Sequence, residues 1–203
     1  MTAHRNDSRS HRWRRAGRTK TLRAFPAMVL LILLTRQAPA AVQVISRATP
    51  SLTPASSASS DSFTPVLSVD GRLVAFVSQA NNLVTNDHNG VVFDVFVRDL
   101  QTGATTLVSV NQAGDSGGDG PSNFPTISGN GRFVAFESRA VNLVTNDFNG
   151  TSDVYVRDLT AATTALVSLN RIGTQSASGS SVNPAMTPDG RFVFFESTAP
   201  DLV

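Results

Sequence analysis

Two loops carry most of the side chains that could do chemistry. Asn86-Asp87-His88-Asn89-Gly90 leads to Asp94, and a near copy, Asn146-Asp147-Phe148-Asn149-Gly150, leads to Asp153. Oxygen ligands alternating along a glycine turn, with a later carboxylate, can wrap a hard cation such as Ca²⁺. Asp87, Asn89 and Asp94 are the candidate calcium ligands of the first loop; Asp147, Asn149 and Asp153 are those of the second. The spacing is not that of an EF-hand, because glycine stands at the fourth loop position and no glutamate closes the loop. The same residues also suit an Asx-rich turn, in which Asp and Asn side chains accept hydrogen bonds from nearby backbone N–H groups. Either role would repeat with the loop, so repetition does not separate them.

Catalytic residue types are sparse. The chain has no cysteine, which excludes thiol catalysis and Cys-ligated metal sites. His88 is the one histidine after Arg23, and Phe148 takes its place in the second loop. A serine nucleophile needs a placed base, and one loop histidine is a weak case for it. Gly114-Asp-Ser-Gly-Gly118 lacks the lysine of a phosphate-binding loop. Asp115 and Asp119 in that segment read as a solvated face, and Asp99 and Asp158, after Arg98 and Arg157, as turn caps or as partners in ion pairs between repeats. No catalytic residue and no organic cofactor is expected from this inventory.

Charge is unevenly placed along the 203 residues. Residues 1–23 hold 8 of the 17 Lys and Arg and a single acid, Asp7. An apolar run around Met28-Val-Leu-Leu-Ile-Leu-Leu34 follows, then the small-residue site Ala38-Pro39-Ala40. A charged segment, a short apolar segment and a small-x-small site together read as a secretory signal peptide over residues 1–40. The apolar run is shorter than the roughly 20 residues a stable transmembrane helix needs. Cleavage after Ala40 would leave 8 basic against 14 acidic residues, a net charge of −6. Such a chain has no clustered Lys and Arg for nucleic acid and no membrane span. The expected location is extracytoplasmic, periplasmic or secreted.

The elements that must position the two loops come from an internal repeat. Pro65-Val-Leu-Ser-Val-Asp-Gly-Arg-Leu-Val-Ala-Phe-Val-Ser78 recurs from Pro125 to Ser138 and again from Pro184 to Ser197. Residues 65–90 and 125–150 share 17 identities in 26 aligned positions without a gap. Each unit reads as four short strands. Strand a lies around Thr64–Ser68 and Pro125–Ser128. Strand b covers Arg72–Ser78, Arg132–Ser138 and Arg191–Ser197. Strand c covers Asp94–Asp99 and Asp153–Asp158, and strand d Thr106–Val110 and Ala165–Leu169. Asp70-Gly71, Asn130-Gly131 and Asp189-Gly190 predict tight a–b hairpins with type I′ turns. The organisation expected is a signal peptide at 1–40, an N-terminal strand or linker at 41–62, repeats at 63–123 and 124–183, and a partial repeat at 184–203. Val42-Gln-Val-Ile-Ser46 matches the strand d pieces and suits a ring-closing strand, with a Ser/Thr/Ala-rich tether as the other reading.

Strands b and c are apolar on both faces: Phe133 and Ala135 point one way, Val134 and Phe136 the other. Four-stranded sheets stacked face to face around an axis cover both faces, which is a β-propeller. The fold class expected is all-β, with antiparallel four-stranded blades of about 60 residues in an incomplete ring, as part of a longer protein. The motif Ser-x-Asp-Gly-Arg-x-Val-Ala-Phe-x-Ser, followed by a strand ending in Arg-Asp-Leu, resembles the TolB-like propeller repeat family over residues 63–203. Gly129-Asn130 departs from it, and these repeats are longer than typical ones in Asn82–Phe93 and 142–152. The resemblance implies a propeller of the kind used as protein-binding modules or as substrate-gating domains of peptidases, and the first reading is a non-enzymatic scaffold that binds a protein or small-molecule ligand. Two other readings stay open: the propeller domain of a larger secreted hydrolase or peptidase, and a calcium-stabilised surface or adhesion protein.

Overall fold

The computed structural model describes residues 58–203, so the expected signal peptide and the strand at 42–46 lie outside the described residues. The described residues form ten strands and no helix. The first blade is β1 (Ser62–Leu67), β2 (Leu73–Ser78), β3 (Asp94–Asp99) and β4 (Thr105–Leu107). The second is β5 (Ser122–Ile127), β6 (Phe133–Ser138), β7 (Asp153–Asp158) and β8 (Thr163–Leu166). A two-stranded third sheet follows, β9 (Ser181–Met186) and β10 (Val193–Ser197). Strands run in chain order across each four-stranded sheet, and every pair is antiparallel.

Both faces of the blades are buried, as their doubly apolar strands require. Ala75, Val77, Val95 and Val97 of the first blade pack on Val134, Phe136 and Tyr155 of the second. The opposite face of the first blade carries Val74, Phe76, Phe96 and Leu107, covered by Ala80, Leu83 and Val84. Those last three belong to the long b–c connection. Ala140 and Leu143 do the same in the second blade. The extra length of these repeats is therefore packed against its own sheet, not projected as a free loop. Cross-strand aromatic pairs tie strands b and c at one register: Phe76 with Phe96 at 5.7 Å, and Phe136 with Tyr155 at 5.8 Å between ring centres.

Three expectations need correction. Gly71, Gly131 and Gly190 have positive φ, but the Asp or Asn before each does not, so the turns are not type I′. Each is an i to i+3 turn closed by the glycine N–H, as in Gly131 N–H to the Ser128 carbonyl at 2.9 Å, with the glycine alone in the left-handed region. The Asn130 carboxamide, hydrogen-bonded to Ser128 Oγ and the Arg132 N–H, stabilises that form. Strand d ends earlier than expected, at Leu107 and Leu166, because the next turn swings Ser109 and Ser168 inward onto Asp94 and Asp153. Strand a of the second blade begins earlier, at Ser122, three residues before Pro125.

Candidate functional site

The two predicted loops do converge on buried carboxylates. Asp94 opens β3 and is fully buried, and Asp87 is 5% exposed. Ser109 Oγ donates to Asp94 Oδ1 at 2.6 Å, and Asn89 Nδ2 donates to Asp94 Oδ2 at 2.7 Å and to the Gly118 carbonyl at 2.8 Å. In the second blade Ser168 Oγ donates to Asp153 Oδ1 at 2.5 Å, and Asn149 Nδ2 donates to the Ala177 carbonyl at 2.6 Å. The Tyr155 hydroxyl donates to Asp147 Oδ2 at 2.5 Å. The Thr151 N–H reaches Asn149 Oδ1 at 2.8 Å, an Asx turn of the kind the sequence allowed.

Burial sets the electrostatics here. It pushes Asp87 up to about 6 and Asp94 up to about 7, with the nearby Asp87 charge adding to the rise at Asp94. Asp153 is pushed up to about 6 for the same reason. Burial also lifts the Tyr155 phenol well above its ordinary value, and its bond to Asp147 adds to that. No group of three or more His, Asp or Glu side chains able to hold a metal forms among the described residues. A cation would therefore draw on two carboxylates and an amide oxygen in each loop.

The outlying acids are structural. Asp99 pairs with Arg72 of its own blade at 2.7 Å and accepts from the Gln101 and Thr102 N–H groups. Asp158 pairs with Arg132 at 2.7 Å and caps the Thr160 and Ala161 N–H groups. The pairs between repeats weighed from the sequence are replaced by pairs within a blade. The arginine partner, in each case, holds the carboxylate well below the usual range. His88 sits with Nδ1 3.1 Å from the Asp115 carbonyl.

A second site is a cleft between the first two blades that the residue inventory missed. Strand a is bulged in every repeat, and the bulge holds Thr64, Phe124 and Asn183 at φ 46°, 50° and 55°. Positive φ is strained for a β-branched or aromatic residue, and such strain gathers at functional sites. Phe63 and Thr64 of β1, Asn123 and Phe124 of β5, and Val77 and Phe93 line a cavity of about 230 Å³. Phe63 and Phe93 meet edge to face at 6.0 Å, and Phe63 and Phe124 remain 46% and 50% exposed. Among the described residues no charged side chain lines the cleft. At the next junction Glu137 stands where Val77 stands here, and its Oε2 accepts from the Asn183 N–H at 3.0 Å. The signal available in the sequence was the proline after each strained residue, Pro65, Pro125 and Pro184. Within a strand, proline is confined to edges and bulges.

These sheets define a class, all-β propeller blades packed face to face and joined through antiparallel strands. Solved structures of that architecture resemble it. A TolB of Agrobacterium tumefaciens matches with a TM-score of 0.44 and 20% identity, over 68% of this chain and 40% of that one. The β-propeller domain of the Trilobed protease from Pyrococcus furiosus matches with a TM-score of 0.42 and 18% identity, over 67% and 34%. TolB of Acinetobacter baumannii matches with a TM-score of 0.40 and 19% identity, over 68% and 27%. The chain thus spans less than half the length of each. No family model matches the sequence. No curated protein matches it at a significant level. Among the described residues no helix is long and apolar enough to cross a membrane.

Proposed function

We propose that this chain is the propeller part of an exported, non-enzymatic recognition protein that binds its ligand at the bulged strand a edge between blades. The observation that carries this is the cleft. Three copies of one strained backbone position are maintained, and two of them, Thr64 and Phe124, line an aromatic hollow at the first junction. Strain of this kind costs about 1–3 kcal/mol per residue. Apolar hollows edged by a few polar groups are the usual form of small-ligand and side-chain pockets. Asn123 and Thr64 supply those polar groups. A cavity of about 150 Å³ accepts benzene, so 230 Å³ suits a larger neutral aromatic. The basic and apolar N-terminal segment with Ala38-Pro39-Ala40 supports export.

Titration of the full chain with the uncharged fluorophore N-phenyl-1-naphthylamine tests the reading. Saturable enhancement is expected, with Phe63→Ser and Phe124→Ser each weakening it about tenfold, the value of roughly one buried ring edge. Phe194→Ser serves as the control, because Phe194 is 62% exposed on the third sheet and outside the cleft. Enhancement that ignores Phe63 and Phe124 but falls with Phe194 would refute the cleft as the binding face.

A further inference from the structure

Unsatisfied polar atoms are concentrated in one place. Asp87 Oδ1, Asn89 Oδ1, Thr151 Oγ1 and Asp153 Oδ2 are buried side-chain atoms that no hydrogen-bond partner reaches among the described residues, and all four lie on the two repeated loops. Their chemistry differs between blades. The second blade's two atoms are a hydroxyl and a carboxylate oxygen, a donor and an acceptor, which neutral partners such as water can serve. The first blade's pair is two acceptors, a carboxylate oxygen and an amide carbonyl. Two buried acceptors beside a second carboxylate call for positive charge or protons, because an unpaired buried anion is costly.

The amide of Asn89 cannot be turned to relieve this. Its Nδ2 already serves two acceptors, Asp94 Oδ2 and the Gly118 carbonyl, so the reversed orientation would set oxygen against oxygen. Three departures accompany the difference between blades, the first being that Asn149 Oδ1 accepts the Thr151 N–H whereas Asn89 Oδ1 is left over. Tyr155, whose hydroxyl serves Asp147, is replaced by Phe96 in the first blade. Ser176, whose Oγ accepts the Phe148 N–H, is replaced by Gly117. Gly117 lies so close that a Cβ there would overlap Asn89 Nδ2 and stand 2.8 Å from Asp94 Oδ2. Only glycine leaves the space in which Asn89 and Asp94 meet.

We infer that the loop of the first blade, through Asp87, Asn89 and Asp94, holds a hard divalent cation of the Ca²⁺ type, and that the second loop does not. Oxygen ligands only, two of them anionic, suit calcium. Few charged ligands place the affinity in the weak class, about 10⁻⁴–10⁻³ M, seen in extracellular modules. In the second blade Tyr155 supplies by hydrogen bonding what the cation supplies in the first.

The test is thermal unfolding and calorimetric titration of the full chain in EDTA and in CaCl₂ up to about 10 mM, with MgCl₂ as comparison. Calcium is expected to raise the melting temperature by about 3–5 °C at ten times the dissociation constant, with about one ion bound per chain. Phe96→Tyr, which gives the first blade the second blade's phenol, should abolish the shift, as should the shape-conserving Asp87→Asn. Asp147→Asn should leave it in place. Absence of both heat and shift in the wild-type chain overturns the inference, as does a shift retained in Phe96→Tyr and Asp87→Asn. A wild-type chain stabilised by acid but not by calcium also overturns it, by showing that protons alone settle Asp87.

Discussion

The two complete blades share one register and nearly one sequence, yet they handle a buried aspartate differently. In the second, Asp147 receives a hydrogen bond from Tyr155 in the strand beneath it. In the first, the ring at that register is Phe96, and Asp87 Oδ1 has no partner. A single hydroxyl group, that of Tyr155, thus gives Asp147 a partner that Asp87 Oδ1 lacks. The junctions differ in the same way: Val77 leaves the first cleft apolar and open, whereas Glu137 closes the next with a hydrogen bond to Asn183. Repetition preserves the scaffold, and single departures from it make the sites.

The largest effect should come from the layer the blades share. Phe136 is fully buried between them. Phe136→Ala should cost about 3–5 kcal/mol, the usual range for a buried aromatic, read from denaturant unfolding. A loss below about 1 kcal/mol would mean that the blades are not packed through this ring.

Making the blades alike is the next way to break the contrast. Tyr155→Phe removes the donor to Asp147 and leaves a buried carboxylate short of a partner, at a cost of roughly 1–3 kcal/mol. It should also give the second blade a calcium response, weaker than that of the first because Ser176 replaces Gly117 and Asn149 Oδ1 is held by the Thr151 N–H. A destabilised variant without a calcium response would assign the cation site to Gly117 more than to the aromatic position. Melting curves in EDTA and in calcium separate the two.

Much of this architecture was legible in the sequence. The c strands fall at Asp94–Asp99 and Asp153–Asp158, as the repeat indicated, because a short apolar run bounded by aspartates is a local signal. Of the loop residues, Asn89 and Asp94 meet directly through a hydrogen bond. What stayed hidden was tertiary. That Tyr155 lies under Asp147 depends on the b–c connection folding back over its own sheet, and nothing local announces that. The cleft was missed because its aromatic residues, Phe63 and Phe124, occupy adjacent and not equivalent repeat positions. Only the bulge at Pro65 and Pro125 brings both into one hollow.

Proton binding gives a third test of the contrast. A carboxylate whose folded-state value is raised binds protons more tightly when folded, so it supports the fold in acid and loses that support as pH rises. With Asp153 raised to about 6, melting temperature in EDTA should fall between about pH 4 and pH 6. Asp99 and Asp158 act with the opposite sign, but their lowered values confine that loss to more acidic conditions. Asp153→Asn should reduce the slope in this window, the remainder coming from Asp87 and Asp94, which burial also raises. A melting temperature that rises from pH 4 to pH 6 would show that Asp153 stays ionised without penalty.

The smallest effect distinguishes the two hairpin tips. Gly71 and Gly131 share a left-handed φ, 68° and 71°, so alanine at either position meets the same backbone strain of about 1 kcal/mol. Their surroundings differ. A Cβ at Gly71 would meet nothing within 4 Å, whereas at Gly131 it would stand 2.5 Å from Leu73 Cδ1 of the neighbouring blade. Gly131→Ala should therefore cost more than Gly71→Ala, by up to about 1 kcal/mol, depending on how far Leu73 can rotate away. The excess should vanish in a Leu73→Ala background, where the neighbour is gone, since coupling of this kind is confined to residues in contact. An excess that survives removal of Leu73 would place the difference in the turn itself. The tip contact would then carry no part of the blade-to-blade packing.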